Sequence, residues 1–238
     1  MRQLLHLLVL LKRYALSQLQ IRLPPHLAME VAATDICVDI GAHCGAWTWP
    51  LSRLVPKGRV YAVEAFPYYA RMLQRMCRLL RRSNVSVCNC AATQSLGSAR
   101  LVWRNNRGER LTGFTHLAGA GESAQDTIEI QCRPLTTIVP PHEWTRVRFI
   151  KCDVEGAELQ VFKGATEILA KAKPMVFCEV CDDYCRRYGN SARDVFEYFE
   201  GLGFRAFAAD SSQKAQPITA QECAHGRDVW FVHQDERW

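Results

Sequence analysis

Asp39 stands two residues ahead of Gly41 in the stretch DIGAHCG, residues 39–45. Residues 36–40 form a short apolar run carrying that single acid, so a strand delivers Asp39 to the mouth of a glycine turn. A glycine directly after a strand lets the backbone turn tightly and lets a ligand approach the main chain with no Cβ in the way. The helix that follows offers unpaired N–H groups, suited to a carboxylate or a phosphate. A second short strand, residues 59–64, ends in Glu64. At about 20 residues beyond such a turn, a carboxylate can accept hydrogen bonds from both ribose hydroxyls of a nucleoside. The arrangement is the first half of a nucleotide-binding βαβ unit.

The identity of the nucleotide rests on detail. A dinucleotide turn reads G-x-G-x-x-G with no acid just ahead of it. Here the pattern is D-x-G-A-x-x-G. An acid beside the turn is poorly suited to a pyrophosphate and well suited to a positive amine or sulfonium. That favours S-adenosylmethionine over NAD. The bland alternative is an ordinary turn with a surface acid at each strand end.

A second anchor lies far downstream, in FIKCDVEGAELQVFKGA, residues 149–165. Together with VDIGAHCGAWT, GRVYAVEAFP and NVSVCNCAA, it resembles the FkbM-type methyltransferases, a family of class I S-adenosylmethionine-dependent O-methyltransferases. The likeness runs from about Asp35 to the chain end, leaving residues 1–34 as an N-terminal helical segment. It implies an α/β, doubly wound, Rossmann-like seven-stranded sheet whose last strand is antiparallel. A β-rich insertion, about residues 97–137, would precede the fourth strand of that sheet and help form the substrate side. The resemblance also implies a cofactor site of Asp39, Gly41, Ala42, Gly45, Glu64, Ala65 and Asp153, with Cys90 and Ala91 near the adenine. Where the family usually has Asn in its turn, this chain has His43. His tolerates left-handed backbone better than most residues, so cofactor binding is expected to survive the change.

Composition sets the limits. The 238 residues are enough for one domain with a large core, and 48% hydrophobic content is that of a globular chain. No run approaches the roughly 18 apolar residues of a membrane span. A net charge of +6 is too modest for a dedicated nucleic-acid binder. Eleven cysteines, an odd count, several of them inside apolar strands, point to a reducing cytoplasm rather than a disulfide framework. Cys178, Cys181 and Cys185 lack a second paired motif, so thiols are expected there rather than a metal.

Along the chain, residues 1–23 open with LLHLLVLL and read as a helix ended by Pro24 and Pro25. Packing on the domain or in a homodimer is the plain expectation; a peripheral membrane contact through Lys12 and Arg13 is the sharper one. Residues 68–82 read as a helix with an apolar stripe and five arginines, 71, 75, 78, 81 and 82. Residues 99–104 and 127–133 read as strands of the insertion, with Trp103 and His116 inside it. Residues 156–170 read as a helix.

Asp39, Glu64 and Asp153 all close strands and so face one crevice. Methylation of a hydroxyl needs a proton acceptor within hydrogen-bond reach. Asp153 is the first candidate, with His43 beside it and His116, His142 and His225 as alternatives. Glu155, Glu158 and Glu179 fall on the substrate side. These acids could also hold Mg²⁺, but nothing in the spacing demands a metal. The expected reaction is methyl transfer to a hydroxyl of a sugar, glycolipid, polysaccharide or polyketide-type metabolite. The alternatives are an N- or C-methyltransferase of a small metabolite, or a non-catalytic nucleotide-binding scaffold. The expected partner is a small-molecule or glycan acceptor, with no nucleic acid.

Overall fold

The computed structural model describes residues 23–103, 115–118, 127–209 and 216–235. The helix expected over residues 1–23 lies almost wholly outside them. Pro25 opens a short helix, α1 (Pro25–Glu30). Proline is well placed at a first helical position, where its missing N–H would have no partner anyway.

The apolar runs form a seven-stranded sheet. Its strands are β1 (Ile36–Ile40), β2 (Arg59–Val63), β3 (Val85–Cys88), β8 (Val147–Cys152), β9 (Met175–Val180), β10 (Phe204–Ala208) and β11 (Arg227–His233). The order across the sheet is β10-β11-β9-β8-β1-β2-β3. All neighbouring pairs are parallel except those made by β11, which runs antiparallel to both β9 and β10. β1 is buried along its whole length, which explains why it reads as a continuous apolar run rather than an alternating one. The chain winds outward from β1 through β2 to β3, then returns to place β8 on the other side of β1. That reversal leaves a crevice beyond the carboxyl ends of β1 and β8.

Helices cover both faces. Residues two apart in a strand point the same way. Val60 packs with Leu27 and Leu51, and Ala62 packs with Met72 and Leu73. α1, α2 (Thr48–Leu54) and α3 (Pro67–Leu79) therefore share one face. Ile150 and Val176 pack on the other, under α5 (Glu158–Lys163), α6 (Thr166–Ala172) and α8 (Ala192–Gly201). Ser191 caps α8 in a capping box with Asp194. Burying a side chain of the size of Leu73 or Phe199 contributes about 1.5–3 kcal/mol.

The helix expected over 156–170 is two helices, broken at Gly164. A Cβ there would lie 2.0 Å from the Thr93 carbonyl oxygen, so the break lets another segment in. The insertion is a separate four-stranded sheet in the order β4-β7-β5-β6. These strands are β4 (Ala91–Ala92), β5 (Gly97–Val102), β6 (His116–Leu117) and β7 (Thr127–Arg133). The insertion thus starts at Ala91, earlier than alternation alone suggests, because two residues of strand carry no period. A short helix, α4 (Leu135–Ile138), leads back towards β8, and α7 (Asp182–Cys185) follows β9. No described helix is long and apolar enough to cross a membrane.

Candidate active site

A cavity of about 260 Å³ opens at the carboxyl ends of β1, β2 and β8. Asp39, Gly41, Ala42, His43, Glu64, Ala65, Cys90, Ala91, His116, Asp153 and Glu155 all line it. Gly45, Glu158 and Glu179 do not, nor do His142 and His225.

Glu64 is fixed by the turn it faces. Oε2 accepts from the His43 N–H at 2.7 Å and Oε1 from the Phe66 N–H at 2.7 Å. Each oxygen keeps lone-pair capacity for a further donor. Burial pushes the Glu64 pKa up to about 7, with the Phe66 and His43 hydrogen bonds opposing. Asn89 ties the segment down by donating Nδ2 to the carbonyls of Glu64 at 2.9 Å and Ala65 at 3.0 Å. His43 has a φ of +48°. Its backbone N–H serves Glu64 whatever its side chain, and its ring centroid sits 3.9 Å from that of Tyr69.

Asp39 is fully buried. Thr48 Oγ1 donates to its Oδ2 at 2.5 Å, while Oδ1 has no hydrogen-bond partner. The nearest cation is Lys151, whose Nζ lies 3.8 Å from Oδ1. Burial raises the Asp39 pKa, and Lys151 and the Thr48 hydroxyl oppose that rise. Lys151 is itself buried in β8, 3.4 Å from Asp153 Oδ2, and donates to the carbonyls of Ile40 at 3.2 Å and Gly41 at 3.0 Å. Burial works against its charge, but Asp153 and Asp39 more than offset this, so its pKa is raised. Lys151 and Thr48 were not singled out from the sequence. The available signal was a lysine in the otherwise apolar FIKC strand.

Gly41 (φ +75°) closes the floor, and a Cβ added to it would sit 1.9 Å from the Asp153 carbonyl oxygen. Gly41→Ala is therefore expected to abolish saturable S-adenosylmethionine binding in calorimetric titration and to lower the melting temperature. Wild-type affinity would show that the turn does not need this close approach. Gly45 (φ +89°) has a packing reason instead: its Cβ would lie 2.5 Å from the Trp49 indole nitrogen.

Beyond the turn, Asp153, Glu155 and Glu179 bring carboxylate oxygens within 4.8 Å of one another. Glu155 is only 8% exposed and has a φ of +59°. Burial, then the charges of Asp153 and Glu158, push its pKa up to about 7. Glu179 is raised too, by burial and by the charges of Asp153 and Glu155. Crowded carboxyls of this kind disfavour one another's charge. They could also hold a divalent cation, which prefers oxygen ligands. Glu158 is placed elsewhere. Its Oε1 accepts from the backbone N–H groups of Val154 and Gly156, both at 3.1 Å, so it braces the loop from beneath. All eleven thiols are free, and Cys178, Cys181 and Cys185 are buried. Among the described residues they form no cluster dense enough for a metal.

The Methyltransferase FkbM domain matches residues 39–206, from the acid of β1 to the middle of β10. The chain belongs to the FkbM methyltransferase family. The structure is similar to an FkbM methyltransferase from Methylobacillus flagellatus, at 19% identity and a TM-score of 0.55, over 84% of this chain and 44% of that one. The chain thus spans less than half the length of that relative. It is also similar to a Streptococcus mutans structure solved in complex with SAH, at 12% identity and a TM-score of 0.50, over 90% of this chain and 99% of that one. These likenesses concern the fold. No curated protein matches the sequence.

The FkbM site fits S-adenosylmethionine on its own geometry. Asp39 Oδ1 is a buried anionic oxygen without a hydrogen-bond donor. Gly41 lets the turn close onto the Asp153 carbonyl at the cavity floor, and Glu64 presents fixed oxygens with capacity to spare.

Proposed function

We propose that the chain is an O-methyltransferase that uses S-adenosylmethionine to methylate a hydroxyl of a sugar, a glycolipid or polysaccharide, or a polyketide-type metabolite. The observation that carries this reading is the group of carboxyls, Asp153, Glu155 and Glu179, beside the cavity. When bound, S-adenosylmethionine supplies an electrophilic methyl group on a sulfonium centre. Glu64 would hold its ribose, the backbone of residues 41–43 its amino-acid end, and Cys90 and Ala91 the face of its adenine. Asp39 contributes negative charge to the same end of the cavity.

An alcohol must lose its proton as it attacks, and a carboxylate with a pKa near working pH is the efficient acceptor. Asp153 is held in place by the Lys151 ammonium, 3.4 Å from its Oδ2. Glu155, on the cavity wall with its pKa near 7, can take up the proton. Glu179 can share it through the carboxyl group. Leu101, His116 and Leu117 of the insertion line the cavity and would shield the reacting atoms from water.

The reading is tested by offering the purified protein labelled S-adenosylmethionine with a panel of glycan, glycolipid and polyketide acceptors. Methylation of hydroxyls supports it; methylation confined to amines or carbons overturns it. With an acceptor in hand, Glu155→Gln should lower kcat by about 10²–10⁴-fold, the usual contribution of a positioned base, with little change in cofactor affinity. The base works deprotonated, so the wild-type rate should rise with pH through about 7, the Glu155 value. That rise should vanish in the variant. An unchanged pH profile would remove Glu155 from the proton's path.

A further inference from the structure

Between Glu64 and Glu109 the sequence carries no acid. Within that interval α3 buries Tyr69, Met72, Leu73 and Met76 and turns Arg71 and Arg78 outward, both exposed. Arg81, also exposed, follows just past the helix end. Beside the helix a groove of about 600 Å³ is rimmed by Arg78, Arg81 and Arg82 and floored by Cys77, Val85 and Val87. It runs along β3, the last strand on this side of the sheet. The rim is therefore strongly cationic and the floor apolar.

Apolar groups stand out on the same side of the molecule. Leu79, at the end of α3, is 52% exposed, and Met29, on α1, is 84% exposed. α1 and α3 cover the same face of the sheet, as the packing of Val60 and Ala62 shows. Leu23, the first described residue, packs into the core of this layer. The acids nearby are engaged: Glu30 lies 3.7 Å from the Arg148 guanidinium, and Asp35 accepts from the Ala32 N–H at 2.8 Å.

We propose that the α1–α3 face docks on an anionic membrane surface. The arginines meet phospholipid headgroups, and Leu79 and Met29 reach the boundary between headgroups and acyl chains. Charge complementarity and exposed aliphatic side chains argue together for a lipid surface. RNA would call for exposed aromatic side chains on which bases stack. The large hydrophobic side chains exposed among the described residues are Met29, Leu79 and Leu96, all aliphatic.

The test is co-sedimentation of the full chain with vesicles of phosphatidylcholine alone and of phosphatidylcholine mixed with phosphatidylglycerol. Binding should be selective for the anionic vesicles and weaken as salt rises. Each surface basic residue contributes about fivefold to such partitioning. The triple variant Arg71→Gln, Arg78→Gln, Arg82→Gln should therefore bind about a hundredfold more weakly, while still titrating with S-adenosylmethionine. If it does not fold, Arg78→Gln alone should show the fivefold loss, and Leu79→Ser a loss that salt does not change. Equal binding to neutral and anionic vesicles, or an arginine variant that sediments like wild type, overturns the proposal. So does tighter binding to an RNA oligonucleotide than to anionic vesicles at equal phosphate concentration.

Discussion

Glu64→Ala should weaken S-adenosylmethionine binding by at least about a hundredfold. A hydrogen bond to a charged group contributes roughly 1.5–3 kcal/mol, and two ribose hydroxyls are at stake. A second loss compounds the first. Glu64 is the acceptor for the N–H groups of His43 and Phe66, each at 2.7 Å. With alanine, those donors lose their partner and the turn that carries residues 41–43 loses its tether. Glu64→Gln separates the two effects. Its amide oxygen can still serve one backbone donor, so much of the turn survives while the charge is gone. Calorimetric titration, with NAD as the control ligand, reads the outcome. Near wild-type affinity in Glu64→Ala would remove the residue from the ribose subsite and with it the nucleoside orientation argued above.

The second large effect concerns stability. Lys151→Met should destabilise the fold by about 3–5 kcal/mol, the cost of removing one partner from a buried charge group. Lys151 is the cation nearest Asp39, which is wholly buried, and it also donates to the carbonyls of Ile40 and Gly41. Its loss leaves a buried carboxylate unopposed and two carbonyls without their donor. The double replacement Lys151→Met with Asp39→Asn should recover part of the loss, because the unopposed charge is then gone. Urea unfolding measures both. A single variant within about 1 kcal/mol of wild type, the range of a surface ion pair, would show that Lys151 is not the counter-charge of the site.

These two residues also show where sequence reading succeeds and where it stops. Glu64 was legible because strand, turn and helix are local: the acid ends the next strand after the glycine turn, with one short helix between. The same holds for Asp39, Gly41 and the seven strands, whose apolar runs carry their own lengths. Lys151 was not legible in this way. A lysine in a strand is ordinarily read as a solvent-facing position, and only the pairing of β1 with β8 sets it opposite Asp39. Glu158 failed for a related reason. An acid in a first helical turn looks available to a ligand, yet its oxygen turns back to two backbone donors only two and four residues away. The break at Gly164 needed knowledge of Thr93, a residue of another segment.

The two-residue strand β4 joins the two sheets. It follows β3 almost at once, pairs with β7 of the second sheet, and lines the cavity with Ala91 and Ala92. Leu101, His116 and Leu117, from that same second sheet, line the cavity opposite residues of the first. Under the proposed function one wall would serve both ligands. In the proposed reaction, an acceptor that draws the second sheet inward would change the pocket proposed for the adenine. By thermodynamic reciprocity, the factor by which it alters cofactor affinity equals the factor by which the cofactor alters its own. On that proposal, two adjacent alanines would be the point through which the two halves of a bisubstrate reaction sense each other.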